Sequence, residues 1–191
     1  IAQFWKKEDA EKVLKNVKNH KVIVSNINKA ELIQLPPTPF DLTTLQLESY
    51  RVFGINPKET LATAQNLYLF GLISYPRTSS QQIPSSIDMR EIFTKLLKSQ
   101  YLGLVKELLK KPQLEPNNGK KTDPAHPALI ITGEIPEKLS EREQKIYDLI
   151  LRRTLATFGD AAKRKTLTVE IECNKEIFIA KGVTTIYPGW H

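Results

Sequence analysis

The run Tyr75-Pro76-Arg77-Thr78-Ser79-Ser80 places a phenol, a guanidinium and three hydroxyls in consecutive reach of one another. That set suits attack on a phosphodiester. A phenol ordinarily keeps its proton up to about pH 10, so it needs a cation to stabilise developing charge, or a base. Arg77 offers a permanent cation whose planar fork of donors matches phosphate oxygens. Thr78, Ser79 and Ser80 add hydroxyl donors for the same oxygens. Pro76 holds the chain extended, so Tyr75 can leave regular structure and be presented on a loop. Taken alone, the same residues also describe one of six tyrosines packed under a loop beside a surface arginine.

Charge and composition narrow the partners. Lys and Arg total 28 against 21 Asp and Glu, a formal net charge of +7, which favours a polyanion such as nucleic acid or an anionic membrane surface. The densest basic stretch lies between Ile92 and Lys121, with lysines 95, 98, 106, 110, 111, 120 and 121; it is either a solvated face or a track for a phosphate backbone. With 40% apolar residues the chain can bury a core. Cys173 is the only cysteine, which excludes a disulfide framework within the chain and a multi-cysteine zinc site. No apolar run approaches the roughly 18 residues that span a bilayer. The sequence opens on Ile1 with a lysine-rich segment rather than a signal peptide, and it reads as a piece of a larger protein working inside the cell.

The elements that must position Tyr75 follow from periodicity and end signals. Residues 4–18 predict a surface helix, and Val22-Ile23-Val24 and Leu32-Ile33 read as two short β runs separated by Asn26 and Asn28. Pro36-Pro37-Thr38-Pro39 forms a rigid hinge. A helix capped by Asp41 stops at Gly54. The next is capped by Asn56, has Pro57 in its first turn, buries Leu61, Ala64, Leu67 and Tyr68, and stops at Gly71. Such a pair resembles a helix-turn-helix. A third helix opens at Ser85 or Ser86, a fourth runs from Gly103 to Lys111, and residues 112–124 form an exposed loop. Ser140 and Glu143 make a capping box for a long helix through Leu155. From Lys165 polar and apolar residues alternate, and Asn174-Lys175 turns into Ile177-Phe178-Ile179. The fold class is α+β, with a mainly helical, helix-turn-helix-like middle inserted between β-containing segments that pair with each other.

The ordered series from Pro36 to Pro84 carries a family resemblance. It contains Pro37-x-Pro39-Phe40-Asp41-Leu42, Leu45-Gln46-x-Glu48, Pro57-x-x-Thr60-Leu61, Ala64-Gln65-x-Leu67-Tyr68, Gly71-Leu72-Ile73-Ser74-Tyr75-Pro76-Arg77-Thr78 and Ile83-Pro84. This series resembles the type IA DNA topoisomerases over about fifty residues, a length of ordered match that no single short motif equals. Asp123-Pro124-Ala125-His126-Pro127-Ala128-Leu129 is similar to that family's histidine motif, which lies near the nucleophile and is implicated in DNA binding. Two positions depart from the pattern. Many relatives have Thr-Asp-Ser where this chain has Thr78-Ser79-Ser80, and the familiar proline and threonine after the histidine block are here Ile131-Thr132.

The resemblance implies an isomerase of the archaeal topoisomerase I or topoisomerase III branch. Its catalytic residues would be Tyr75 and Arg77, and its DNA contacts Thr78, Ser79, Ser80 and His126. The tyrosine would cut one DNA strand through a 5′-phosphotyrosine link, another strand would pass, and the cut would be resealed. Residues 1–36 would begin a β-containing arch domain, 37–139 would form the helical tyrosine domain, and 140–191 would return as a helix and strands of the arch. Partners would be DNA, preferably single-stranded, and a metal-binding domain of the same polypeptide, with no membrane; the setting would be prokaryotic cytoplasm at the nucleoid. Magnesium is expected in the full enzyme, but this chain contains no Asp-x-Asp and so is expected to bind no metal or other cofactor itself. The alternative is a non-catalytic helix-turn-helix nucleic-acid-binding module, and a third reading is a protein-interaction domain whose lysines only provide solubility.

Overall fold

The computed structural model describes residues 4–191, so the first three positions of the opening segment lie outside the described residues. The architecture is α+β, with six α-helices and one three-stranded antiparallel sheet among the described residues. The chain divides into two compact units. One joins the segment ending at Gln34 to Ala161–Gly189; the other comprises Leu35–Asp160 with Trp190–His191.

The first unit contains helix α1 (Lys7–Val17) and strands β1 (Val22–Gln34), β2 (Ala162–Cys173) and β3 (Glu176–Tyr187), in the order β1-β2-β3. The two β runs expected near its start are one continuous strand. Asn26 and Asn28 lie in the ladder opposite Glu170 and Thr168, because polar side chains interrupt an apolar pattern without removing backbone donors and acceptors. A register shift between Val24 and Asn26 absorbs one residue. Asn174 (φ 46°) and Lys175 (φ 71°) form the left-handed two-residue turn between β2 and β3, as the sequence predicts. Asn16 of α1 is tied to that turn: the Asn174 amide donates to its carbonyl at 2.9 Å, and its own amide donates to Glu176 at 3.0 Å.

The second unit carries helices α2 (Leu42–Phe53), α3 (Pro57–Leu69), α4 (Met89–Lys95), α5 (Leu102–Leu109) and α6 (Glu141–Thr157), with a 3-10 turn at Leu96–Lys98. The expected caps hold. Asp41 and Thr44 form a reciprocal capping box, Asn56 accepts from the Glu59 amide, and Ser140 and Glu143 form the second box. The start of α4 differs. Its cap is Asp88, which accepts from the Glu91 amide at 3.0 Å, whereas Ser85 and Ser86 lie in the preceding turn. A carboxylate three residues before that free amide does the work expected of the serines.

The placement of α6 also differs from the expected grouping of residues 140–191. The helix packs against α3, α2 and α5 and falls within the second unit. Its buried face holds Ile146, Tyr147, Ile150, Leu151 and Leu155, and each large apolar side chain removed from water contributes about 1.5–3 kcal/mol. They share a core with Phe40, Leu45, Leu67, Ile73, Phe93, Leu96, Leu129 and Ile131. Order along the chain therefore groups α6 with β2 and β3, while its apolar face commits it to the helical unit.

Candidate active site

Tyr75 stands where α3 ends and the chain runs beside a distant segment. Gly71 (φ 73°) turns the backbone out of α3. Leu72 to Ser74 then line up antiparallel to Ala128–Thr132. The Thr132 amide donates to the Leu72 carbonyl at 3.1 Å, Ile73 bridges Ile131, and the Ser74 amide donates to the Ile130 carbonyl at 2.8 Å. The Ser74 hydroxyl adds two links, donating to Ala128 at 3.0 Å and accepting from the Ile130 amide at 2.9 Å. On the other side Leu129 bridges Phe40, its amide donating to the Phe40 carbonyl at 2.8 Å. Phe40, Ile73, Leu129 and Ile131 are almost fully buried, so the ladder that carries the site rests on the core.

This ladder brings His126 to Tyr75. Their ring centroids lie 4.6 Å apart with planes tilted by 34°, and both residues are half-buried. On a second side the ring of Tyr68, at the end of α3, meets Tyr75 edge-on at 5.4 Å. Tyr68 is 39% exposed, so it belongs to the site's surface and not to the buried face of α3 where helical spacing assigns it. The last turn of a helix lets a side chain reach past the end of the core. The phenol of Tyr75 is thus bracketed by two rings, one of which can donate a hydrogen bond or carry positive charge.

The remaining candidates divide by exposure. Arg77 is exposed, and among the described residues no carboxylate pairs with it. Ser79 is exposed as well. Thr78 and Ser80, expected as phosphate donors, are instead 3% and 2% exposed and shape their own loop. The Thr78 hydroxyl accepts from the Ser80 amide and the Ser80 hydroxyl accepts from the Gln82 amide, each at 3.0 Å. The Thr78 carbonyl accepts from the Leu42 amide at 3.0 Å, which joins this loop to the start of α2. Short hydroxyl side chains commonly satisfy backbone amides two residues on, and here that local bonding takes both residues away from solvent.

Two carboxylates frame the site, and donors already occupy both. Asp123 accepts from the amides of Ala125 and His126 at 2.9 and 3.1 Å, and from the Ser79 amide and hydroxyl at 3.4 and 3.3 Å. The Ala125 amide contributes most to holding its carboxyl below the usual carboxylate range; desolvation opposes this, and the Ser79 and His126 donors reinforce it. Asp41 is 2% exposed. Burial pushes its carboxyl up, but bonds from Lys121 at 2.8 Å and from Thr44 outweigh this and leave it below its ordinary value. Among the described residues no three His, Cys, Asp or Glu side chains converge as a metal site requires. The donor set here does not fit magnesium.

The helix-turn-helix alternative gains nothing from the surface of α2 and α3. The large exposed apolar side chains there include Leu47, Tyr50, Val52, Tyr68, Leu69 and Phe70, and the exposed cations are Arg51, which pairs with Glu48, and Lys58, not a row of cations. Much of the basic stretch is also committed. Lys95 pairs with Glu91 and Glu134, Lys110 with Glu107, Lys111 with Asp160, and Lys121 with Asp41. Sequence reasoning missed Tyr68 and Asp123 as parts of the site. Asp123 lay within the histidine motif already singled out, whereas no spacing rule marks Tyr68.

Comparison with known proteins extends these findings. A family model described as DNA topoisomerase matches residues 1–191. The chain is 43% identical over 188 residues to DNA topoisomerase 1 of Methanothermobacter thermautotrophicus, covering 98% of this chain and 26% of the relative. It is 44% identical over 191 residues to DNA topoisomerase 1 of Pyrococcus horikoshii, covering 98% and 28%. It is 34% identical over 188 residues to DNA topoisomerase 3 of Bacillus subtilis, covering 94% and 26%. The chain thus spans about a quarter of the length of these curated relatives. The structure of full-length topoisomerase I from Thermotoga maritima matches the fold with a TM-score of 0.73 at 21% identity, over 100% of this chain and 32% of that one.

Proposed function

From the premise that the chain belongs to the type IA DNA topoisomerases, we propose that Tyr75 is its nucleophile and that the whole protein cuts, passes and reseals single DNA strands. The observation that carries this reading is the packing of the Tyr75 ring against His126, with Arg77 exposed and uncommitted two residues on. The Tyr75 oxygen attacks the phosphorus of a DNA phosphodiester. As the phenol loses its proton, the bond from phosphorus to the 3′ oxygen breaks, and that oxygen leaves as a 3′ hydroxyl once protonated. The product is a phosphotyrosine bonded to the 5′ end. The reverse attack by the 3′ hydroxyl restores the DNA and frees Tyr75. One phosphodiester replaces another, so resealing needs no nucleotide hydrolysis.

Each nearby group has a task in this reading. Arg77 faces solvent and would hold the phosphate oxygens as their charge develops. His126 would donate to the same or a neighbouring phosphate. Ser79, exposed between them in sequence, would contact the backbone. Single-stranded DNA is the proposed substrate, because the family's reaction opens one strand. Magnesium would be held by residues of the whole protein outside this chain. No helix of the described residues is long and apolar enough to cross a membrane, and action on chromosomal DNA would place the protein at the nucleoid of a prokaryotic cytoplasm. The test is covalent trapping: the protein incubated with single-stranded DNA and magnesium should form an adduct that Tyr75→Phe abolishes. An adduct that survives the substitution rejects Tyr75.

A further inference from the structure

Asp123 belongs to neither the ladder nor the attacking group, yet it bonds to both loops of the site. One carboxylate oxygen accepts from the Ala125 amide at 2.9 Å and the His126 amide at 3.1 Å. The other accepts from the Ser79 hydroxyl at 3.3 Å and the Ser79 amide at 3.4 Å. The first pair shapes the turn that leads into His126. The second fastens that turn to the loop after Arg77. The Ser79 hydroxyl also lies 3.4 Å from the Thr122 carbonyl, on the same side of this junction. The carboxylate stands 3.6 Å from the His126 Nδ1 atom as well, close enough to orient a protonated ring though too long for a hydrogen bond. Resting on the Tyr75 reading above, we propose that Asp123 is a positioning residue for DNA cleavage. Its two oxygens lock the His126 turn to the Ser79 loop and so hold the imidazole against the Tyr75 ring.

A carboxylate suits this task because all four of its contacts are donors. An asparagine keeps one oxygen for the Ala125 and His126 amides, but it offers the Ser79 amide an N–H group where an acceptor is needed. Asp123→Asn therefore removes the Ser79 amide from the link, leaving at most one bond in which the Ser79 hydroxyl accepts, while preserving the turn. Asp123→Ser is the second variant: its hydroxyl can still accept from the local amides but is too short to reach Ser79.

The test uses the full-length protein that carries this chain, in wild-type, Asp123→Asn, Asp123→Ser and Tyr75→Phe forms. Two quantities are read: single-turnover formation of the covalent adduct at saturating oligonucleotide, and oligonucleotide affinity. Histidine-selective carbon-13 labelling reports the ring environment of His126, whose ring-proton shifts carry the ring current of Tyr75. The expected result is an adduct rate lower by about tenfold or more in Asp123→Ser, as is common when a supporting hydrogen-bond partner is lost, and a smaller loss in Asp123→Asn. Affinity should stay within about twofold, and the His126 signals should move toward those of an unstacked ring. A wild-type adduct rate in Asp123→Ser overturns the proposal, and so does a slowed variant whose His126 signals have not moved. A wild-type protein that forms no adduct, or a Tyr75→Phe protein that still does, overturns the nucleophile reading itself and with it any role of Asp123 in cleavage. The four proteins thus separate the two failures.

Discussion

The imidazole of His126 lies 4.6 Å from the phenol ring of Tyr75, centroid to centroid, because the residues just before Tyr75 are hydrogen-bonded to the segment that follows His126. The contact is made by backbone pairing of Ile73 with Ile131 and of Ser74 with Ile130, not by the two side chains alone. Changes to either ring should therefore alter chemistry without unfolding the unit.

His126→Gln is expected to keep the fold and to lower the rate of adduct formation by about 10²-fold, the range for loss of one donor aimed at developing charge. Its side chain is 39% exposed, so little core is lost. Circular dichroism and single-turnover cleavage on the same preparation check this. An unfolded variant, or one that cleaves at the wild-type rate, would contradict the assignment.

Ile73→Ala should show the reverse pattern. Ile73 is 1% exposed and lies where the tyrosine ladder enters the core. Removing its outer carbons should cost about 2–5 kcal/mol of stability, through lost burial and the cavity left behind. Urea denaturation measures the loss. A cost below about 1 kcal/mol would mean that the ladder is not held by this core.

The Asp41–Lys121 pair predicts a pH dependence with a defined sign. Folded Asp41 keeps its charge to lower pH than the unfolded chain does, since bonds from Lys121 and Thr44 outweigh the effect of burial. Its contribution is full above the ordinary carboxylate range and is lost as pH falls through the folded value. Asp41→Asn should therefore cost about 1.5–3 kcal/mol near neutrality, the range for hydrogen bonds to a charged group. The gap to wild type should narrow as the solution is acidified. A gap that stays constant between about pH 7 and about pH 3 would show that the charge is not what matters.

The sequence disclosed features that depend on a few neighbouring residues. Asp41, Asn56 and Ser140 announce helix starts because a short polar side chain reaches an amide three residues on. Asn174-Lys175 announces a turn because the left-handed pair suits a tight hairpin. Features set by distant contacts were hidden. The apolar stripe of α6 shows that it is buried, but not that its partners are α2, α3 and α5. The hydroxyls of Thr78 and Ser80 look equally able to meet phosphate or backbone, and distant packing buries both residues while each hydroxyl accepts from an amide two residues on. Tyr68 fits the buried spacing of α3, yet the helix ends there and leaves its ring beside Tyr75.

The most direct measurement maps the covalent bond. The full-length protein is incubated with a single-stranded oligonucleotide and magnesium, trapped with denaturant, and digested with nuclease and protease. Mass spectrometry then locates the residue that carries the nucleotide. The account predicts a phosphate-linked nucleotide on Tyr75, none on Tyr68 or Tyr50, and no adduct in Tyr75→Phe. A nucleotide on any other residue, or an adduct that persists in Tyr75→Phe, would contradict it.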